Sequence, residues 1–232
     1  MMRAPLTVTS YNIRKGIGGD RRRDPARILD VLEETGADIA VLQEADLRFG
    51  TRHAALPLPL LHARGWAPVP LDTGRHSIGW HGNAMLVRSG TRIARSDILP
   101  LPTLEPRGAI LADLETAHGP LRLVGMHLDI SGLFRRQQAL AILDHLGRQP
   151  DPGMPTLLMG DLNEWRPLAG AILDLSRAYR LVPTGPSFHA RMPMGRLDRI
   201  FITEELPVRA AGVHISPLAS IASDHLPVWV KL

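Results

Sequence analysis

A set of polar side chains stands where apolar runs stop. Asn12 closes "LTVTSYN", Glu44 closes "DIAVLQE", and Asn83 opens "NAMLV". His127 closes "PLRLVGMH", Asp161 and Asn163 follow "TLLMG", Asp198 opens "DRIFI", and Asp224 and His225 lie in "SDHLPV". Each alone has an ordinary explanation: an amide that satisfies turn backbone, a core histidine with a partner, Asp198 paired with Arg196 or Arg199. Together they are hard to place in a core, because an unpaired ionised carboxylate is costly to bury. Strands that end this way deliver their carboxylates to a site. Glu44, Asp161 and Asp224 offer hard oxygen ligands suited to Mg2+ or Mn2+. His127, His225 and Asp198 supply proton transfer and orientation. The amides of Asn12, Asn83 and Asn163 can donate to substrate oxygens. This donor set points to metal-assisted hydrolysis.

Other chemistries are excluded by what is missing. The 232 residues contain no cysteine, which removes thiol nucleophiles, disulfides, Cys-bound zinc and iron–sulfur clusters. No G-x-S-x-G elbow and no glycine-rich phosphate loop occurs. The formal charge is +4 and the pI about 10.3. All but Lys15 and Lys231 of the 27 basic residues are Arg. That bias is partly compositional, so the basic pI permits an anionic substrate without identifying one. The run "DRRRD" at 20–24 reads as a solvated turn.

The elements that must carry these residues follow from periodicity. "LTVTSYNIRKG" alternates as a strand. In "RRRDPARILDVLEETG", Asp24 suits an N-cap, Pro25 the first helical position and Gly36 the stop, with 28, 29, 31 and 32 as the buried face. "DIAVLQEAD" is a buried strand. The second half repeats the pattern: "PLRLVGMHLD" as strand, "LFRRQQALAILDHLG" as helix with Leu140, Ile142, Leu143 and Leu146 as its stripe, and "TLLMGDLNEW" as strand. Asn12 to Glu44 and His127 to Asp161 are similar intervals in a two-fold internal repeat. Further strands are expected in "HGNAMLVRSG", "TRIARSDIL", "GAILADLETA", "RLDRIFIT", "VRAAGVHI" and "LPVWVKL". The segment 49–80 reads as mostly loop with one short helix, part of a substrate rim. So many strands with few helices predict two packed sheets with helices outside. One domain is expected over residues 1–232, with no long linker. The N-terminus lacks a signal-peptide pattern and no apolar run reaches the length of a membrane span, so a cytoplasmic monomer is expected.

Specific motifs now add a resemblance. "SYNIRKG" (10–16), "VLQEAD" (41–46), "GNAMLVR" (82–88), "PRGA" (106–109), "MHLD" (126–129), "RRQQ" (135–138), "GDLNEW" (160–165), "RLDRIF" (196–201) and "SDHLPV" (223–228) resemble, in order, those of the endonuclease/exonuclease/phosphatase superfamily. These metal-dependent phosphohydrolases include pancreatic-type deoxyribonucleases, abasic-site endonucleases, inositol-polyphosphate phosphatases and bacterial sphingomyelinases. The resemblance implies a four-layered α/β sandwich: two packed, mostly antiparallel β-sheets flanked by helices.

It also implies roles. Glu44 would bind the metal with Asn12 close by, and Asp224 would be a further metal-side ligand. Asp161 and Asn163 would orient the attacking water and hold the phosphate. His225, held by Asp198, would act as base or phosphate contact, and His127 would protonate the leaving oxygen. Arg107 and Arg14 would contact phosphate, with Asn83 also on the substrate side. Arg14 stands where abasic-site endonucleases carry Asp, and His127 where they carry Tyr, which counts against that branch. Secreted deoxyribonucleases usually carry a disulfide, which this chain cannot form. No aromatic membrane hairpin of the sphingomyelinase kind is visible among four Trp, two Tyr and four Phe. The substrate class stays open between nucleic acid, with Arg14, Arg48, Arg52 and Arg75 as a basic rim, and a lipid head group or small phosphate ester, with peripheral membrane contact possible. A non-catalytic binding module is the remote alternative.

Overall fold

The computed structural model describes residues 5–47, 52–72 and 77–232. Arg48 and Arg75 lie outside the described residues. Twelve strands are described, in two six-stranded sheets. The first sheet is built from β1 (Thr7–Asn12), β2 (Ile39–Gln43), β3 (Trp66–Pro68), β4 (Ala84–Arg88), β11 (Ala210–Val213) and β12 (Val228–Lys231). The second is built from β5 (Arg92–Leu99), β6 (Gly108–Thr116), β7 (Gly119–His127), β8 (Thr156–Asp161), β9 (Arg180–Val182) and β10 (Asp198–Ile202). Their orders, β11-β12-β1-β2-β4-β3 and β5-β6-β7-β8-β10-β9, follow one plan. In each, a single parallel pair, β1-β2 or β7-β8, sits centrally and every other pair is antiparallel. The internal repeat is therefore a repeat of sheet topology, with the parallel pair joined by a crossover helix.

Those crossover helices are α1 (Pro25–Thr35) and α3 (Gly132–Gly147); α2 (Leu58–Ala63), α4 (Ala171–Leu175) and α5 (Ala219–Ala222) are short. α1 forms as its sequence dictates. Asp24 accepts from the Arg27 N–H, Pro25 occupies the first turn, and Gly36 closes the helix at φ 65°. Ile28, Leu29, Val31 and Leu32 are all buried. α3 differs from expectation. Leu140 is 45 % exposed, and the buried face is Arg135, Gln138, Ala139, Ile142 and Leu146. Two polar residues lie on the inner face because each has a specific partner. Arg135 pairs with buried Glu164 at 3.0 Å, and Gln138 accepts from the Asp129 N–H at 2.8 Å. The polar identity of that face hid its periodicity. In the 49–80 segment, the expected short helix is α2; edge strand β3 beside β4 was not foreseen.

Strand alternation divides the core into three slabs. Val8, Ile39, Val41, Leu123, Leu157, Met159 and Ile200 meet between the sheets. Tyr11, Ala40, Leu42 and Leu86 face α1. Val124, Met126, Leu158 and Phe201 face α3 and α4. Helix, sheet, sheet and helix make four layers. Gly160, one residue before the end of β8, has φ +153°, and a Cβ there would sit 1.8 Å from the Met126 carbonyl oxygen. No rotamer relieves a clash with backbone. Gly160→Ala is expected to cost about 3 kcal/mol, a fall in Tm of roughly 6–12 °C for a chain of this size, readable by thermal unfolding.

Candidate active site

The site grows out of the inter-sheet core by strand alternation alone. The inner face of β8 reads Leu157, Met159, Asp161, and that of β7 reads Leu121, Leu123, Gly125, His127. β10, running the opposite way, reads Ile202, Ile200, Asp198. On β1 the same face runs from Val8 through Ser10 to Asn12. In every case the last inward side chain is polar, and all four strand ends lie on one side of the sandwich. Register places His127 opposite Asp161 and Asp161 opposite Asp198. Asn12 reaches across from the other sheet, and its Nδ2 donates to Asp161 Oδ2 at 3.0 Å.

Asp161 is the hub. Its Oδ2 also lies 3.3 Å from His127 Nε2 and 3.7 Å from His225 Nε2, while Oδ1 accepts from the Asn163 N–H at 2.9 Å. His225 Nδ1 donates to Asp198 Oδ2 at 2.8 Å, and the Ser187 hydroxyl donates to the same oxygen. Burial alone would depress the imidazole. The carboxylates of Asp198 and Asp161 outweigh it and push His225 up to about 10. Asp161 shows the reverse balance: burial raises it, but His225 and His127 hold it well below the usual carboxylate range. The result is an imidazolium between two carboxylates. Ligand atoms of Asp161, Asp198 and His225 all lie within 4.8 Å of one another, close enough to hold a metal ion.

This pair has a pH signature. A histidine raised from 6.5 to about 10 on folding contributes stability that is complete below pH 6.5 and is lost as pH rises toward 10. In EDTA, the Tm difference between wild type and His225→Gln is expected to be largest near pH 6 and to shrink steadily toward pH 10. A constant difference across that range would contradict the charged imidazole.

Glu44 and Asp224 stand at the mouth, with side chains about a quarter exposed. Burial raises Glu44, but His127, Lys15 and Arg107 together bring it below its ordinary value. The Lys15 ammonium sits on Glu44 Oε2, and Arg14 Nε lies 3.4 Å from Asp224 Oδ2. Glu44, Lys15, Asp46, Arg52, His81, Arg107 and His127 line one cavity at this mouth. Of the seven non-glycine residues with positive φ among the described residues, Arg14, Lys15, Glu44, Arg52, His81 and Asn163 all belong to the site or its rim. L-residues adopt that region rarely, and such strain concentrates where function demands it.

Not every expected residue faces the mouth. Asn83 is wholly buried, and its Nδ2 donates to the Gly108 carbonyl at 3.0 Å, which braces the loop carrying Arg107. Asn163 Nδ2 donates to the Leu128 carbonyl at 2.9 Å. Arg107 lies against the His127 ring and 3.3 Å from Glu105. Arg52 grips Asp46 through Nε and Nη2 at 3.0 and 3.2 Å, so it is not a free rim cation. Asp198 bonds His225 rather than Arg196 or Arg199. The "RRQQ" motif serves architecture: Arg135 also donates to the Asp129 carbonyl at 3.2 Å, fixing the chain after His127.

Sequence reasoning missed Lys15, Asp46, His81 and Ser187. His81 stacks on Trp80 with centroids 4.3 Å apart, and burial, its largest influence, lowers its basicity. An apolar cleft was also missed, formed by Trp165, Phe188, Met192 and Met194. Phe188 lies 4.9 Å from the His225 ring, and Trp165 is 62 % exposed. Trp165 closes "GDLNEW", so the signal lay inside a motif already in view.

Comparison with known proteins gives this arrangement a family. The profile of the Endonuclease/Exonuclease/phosphatase family matches residues 9–225. The chain belongs to that family. It has the fold of the family's phosphoric ester hydrolases, with a buried Asp/His cluster at its strand ends. Uncharacterized protein YbhP of Escherichia coli (strain K12) is 25 % identical, over 97 % of this chain and 95 % of its own. Solved structures share the fold at lower identity. TDP2 of D. rerio, complexed with a single-strand DNA product, has a TM-score of 0.71 at 16 % identity, covering 99 % of both chains. A mannosyl-6-phosphatase of Bacteroides thetaiotaomicron has a TM-score of 0.70 at 19 % identity, covering 98 % of this chain and 99 % of its own. Among the described residues, no helix is long and apolar enough to cross a membrane.

Proposed function

We propose that this protein is a divalent-metal-dependent phosphodiesterase that hydrolyses its substrate by one-step attack of water on phosphorus. The observation that carries this is the convergence on Asp161 of His127 from its own sheet and, from the other, of Asn12 at the end of β1 and His225 in the loop before β12. Such a cluster can position a water and stabilise the charge on an in-line transferring phosphoryl group.

Asn12, Glu44 and Asp224 are assigned to the metal. Their hard oxygens fit Mg2+ or Mn2+, and the ammonium of Lys15 on Glu44 marks that carboxylate as a place where positive charge is held. Asp161, Asp198 and His225 are the competing donor group. There the charge is already balanced by the proton on His225, which a metal would have to expel. A divalent ion at Glu44 would supply neutralisation of the non-bridging and leaving oxygens.

The chain's own residues do the rest. Asp161, held anionic, accepts a hydrogen bond from the attacking water and aims it. A carboxylate so far below its usual range is a weak base, which suits a loose transition state that asks little of one. His225 donates from the imidazolium to a phosphoryl oxygen, and Asp198 fixes its orientation. Asn163 and Arg107 share the spreading charge, and Arg14 offers a further phosphate contact. His127 gives a proton to the departing oxygen. Asn83 works through the Gly108 carbonyl to place Arg107.

A second reading concerns the substrate. The apolar cleft beside His225 and the engagement of Arg52 with Asp46 favour a lipid head group or small ester with an apolar substituent over a long nucleic acid. A panel containing plasmid DNA, single-stranded DNA, RNA, bis-p-nitrophenyl phosphate and phospholipids, with Mg2+ or Mn2+, decides between them. Nucleic-acid cleavage with steep salt dependence supports the nuclease; turnover confined to small or lipid diesters supports the second reading. No turnover of any member refutes both.

A further inference from the structure

One short turn commits its donors to the whole candidate metal set. The turn Arg14–Gly16 follows β1 after the single residue Ile13. Its first N–H, that of Arg14, donates to Asn12 Oδ1 at 3.1 Å. Arg14 Nε lies 3.4 Å from Asp224 Oδ2. The Lys15 N–H donates to the Glu44 carbonyl at 3.0 Å, and Lys15 Nζ bonds the Glu44 carboxylate. Arg14, Lys15 and Glu44 all hold left-handed backbone, at φ 45°, 59° and 53°, without a glycine among them. Several constraints therefore converge to put one cation on each carboxylate.

The identity of the second cation is informative. All but two basic residues of this chain are Arg, yet the group on Glu44 is Lys15. Arg52 shows what the usual choice does nearby: it holds Asp46 through two nitrogens of its planar fork. An ammonium is instead a compact charge on a flexible stem, held at one point and free to swing. Lys15 also lines the cavity at the mouth together with Arg107 and His127, so its stem already reaches the space where phosphate would lie.

We propose that Lys15 is a displaceable counter-cation of Glu44. A divalent ion taking the carboxylate releases the ammonium, which turns across the cavity to the phosphate of the substrate. Two positive charges cannot share one carboxylate at contact distance without repulsion. Metal binding and phosphate binding thus become coupled, and linkage makes that coupling reciprocal. The inference rests on the assignment of the metal to Glu44.

Calorimetric titration of EDTA-stripped, full-length protein with Mg2+, with and without inorganic phosphate, tests it without reference to turnover. Lys15→Met is expected to bind Mg2+ at least tenfold more tightly than wild type, and Lys15→Gln to do the same. Lys15→Arg, which keeps the charge, is expected to remain within a few-fold of wild type. Phosphate should tighten Mg2+ binding in wild type and lose most of that effect in Lys15→Met. Unchanged or weaker Mg2+ binding in Lys15→Met and Lys15→Gln overturns the displacement, and undiminished phosphate coupling overturns the handover. Glu44→Gln separates the two layers. If it binds Mg2+ as wild type does, the metal assignment itself falls. If it loses Mg2+ while the Lys15 variants stay unchanged, only the counter-cation role falls.

Discussion

Asp161→Asn is expected to lower phosphodiester turnover about 1,000-fold or more, the scale on which positioned charge and proton transfer act. The substitution keeps the shape of the side chain but removes its charge. At Oδ2, the carboxylate accepts from Asn12 and faces His127 and His225. An amide cannot accept from all three, and its NH2 must meet at least one other donor. His225 simultaneously loses one of the two carboxylates that keep it charged. Water orientation and phosphate stabilisation therefore fail together. KM is expected to change little, since Asp161 is buried and acts on the transition state. Circular dichroism should remain native, because the core strands carrying position 161 are bonded through their backbones. Turnover within tenfold of wild type in a folded Asp161→Asn protein would remove Asp161 from the chemistry.

The second large effect concerns the metal. EDTA is expected to abolish turnover, and Mg2+ or Mn2+ to restore it in wild type. Glu44→Gln is expected to lose 100-fold or more in activity at moderate metal concentration, with partial recovery as the metal is raised. The neutral amide keeps an oxygen ligand but loses the charge that hard divalent ions require. Glu44 also pairs with Lys15, so the variant leaves an ammonium without its carboxylate, in a side chain only 27 % exposed. Metal titrations of activity read the effect directly. EDTA-insensitive turnover would show that the carboxylates at this mouth serve another purpose.

Much of the fold was legible because it rests on local patterns with clear periods. α1 carries its own start and stop in Asp24, Pro25 and Gly36, and its apolar face is unbroken. The inner strands read as apolar runs because both faces are buried. What stayed hidden depended on partners distant in sequence. The inner face of α3 is partly polar, and only the presence of Glu164 and the Asp129 N–H makes Arg135 and Gln138 suitable there. β3 and β9 are three-residue edge strands, too short to show a period.

The site divides in the same way. Asn12, His127, Asp161 and Asp198 could be seen because strand alternation converts an apolar run ending in a polar residue into a polar group at the sheet end. Asn83 carries the same mark but points to backbone, and nothing in its local sequence distinguishes the two fates. Lys15 and His81 sit in loops, where no periodicity announces a direction. Their positive φ values are visible only in three dimensions. Trp165 and Met194 form one cleft across residues 165–194, an apolar surface that no single segment contains.

The central claim is that water attacks phosphorus at the Asp161 cluster with a divalent metal in place. Hydrolysis of bis-p-nitrophenyl phosphate in 18O-enriched water, with Mg2+ and with Asp161→Asn as blank, tests it most directly. The predicted result is one 18O atom in the phosphate monoester, none in the nitrophenol, and no measurable product from the variant. 18O in the nitrophenol, or undiminished turnover in Asp161→Asn, would contradict it.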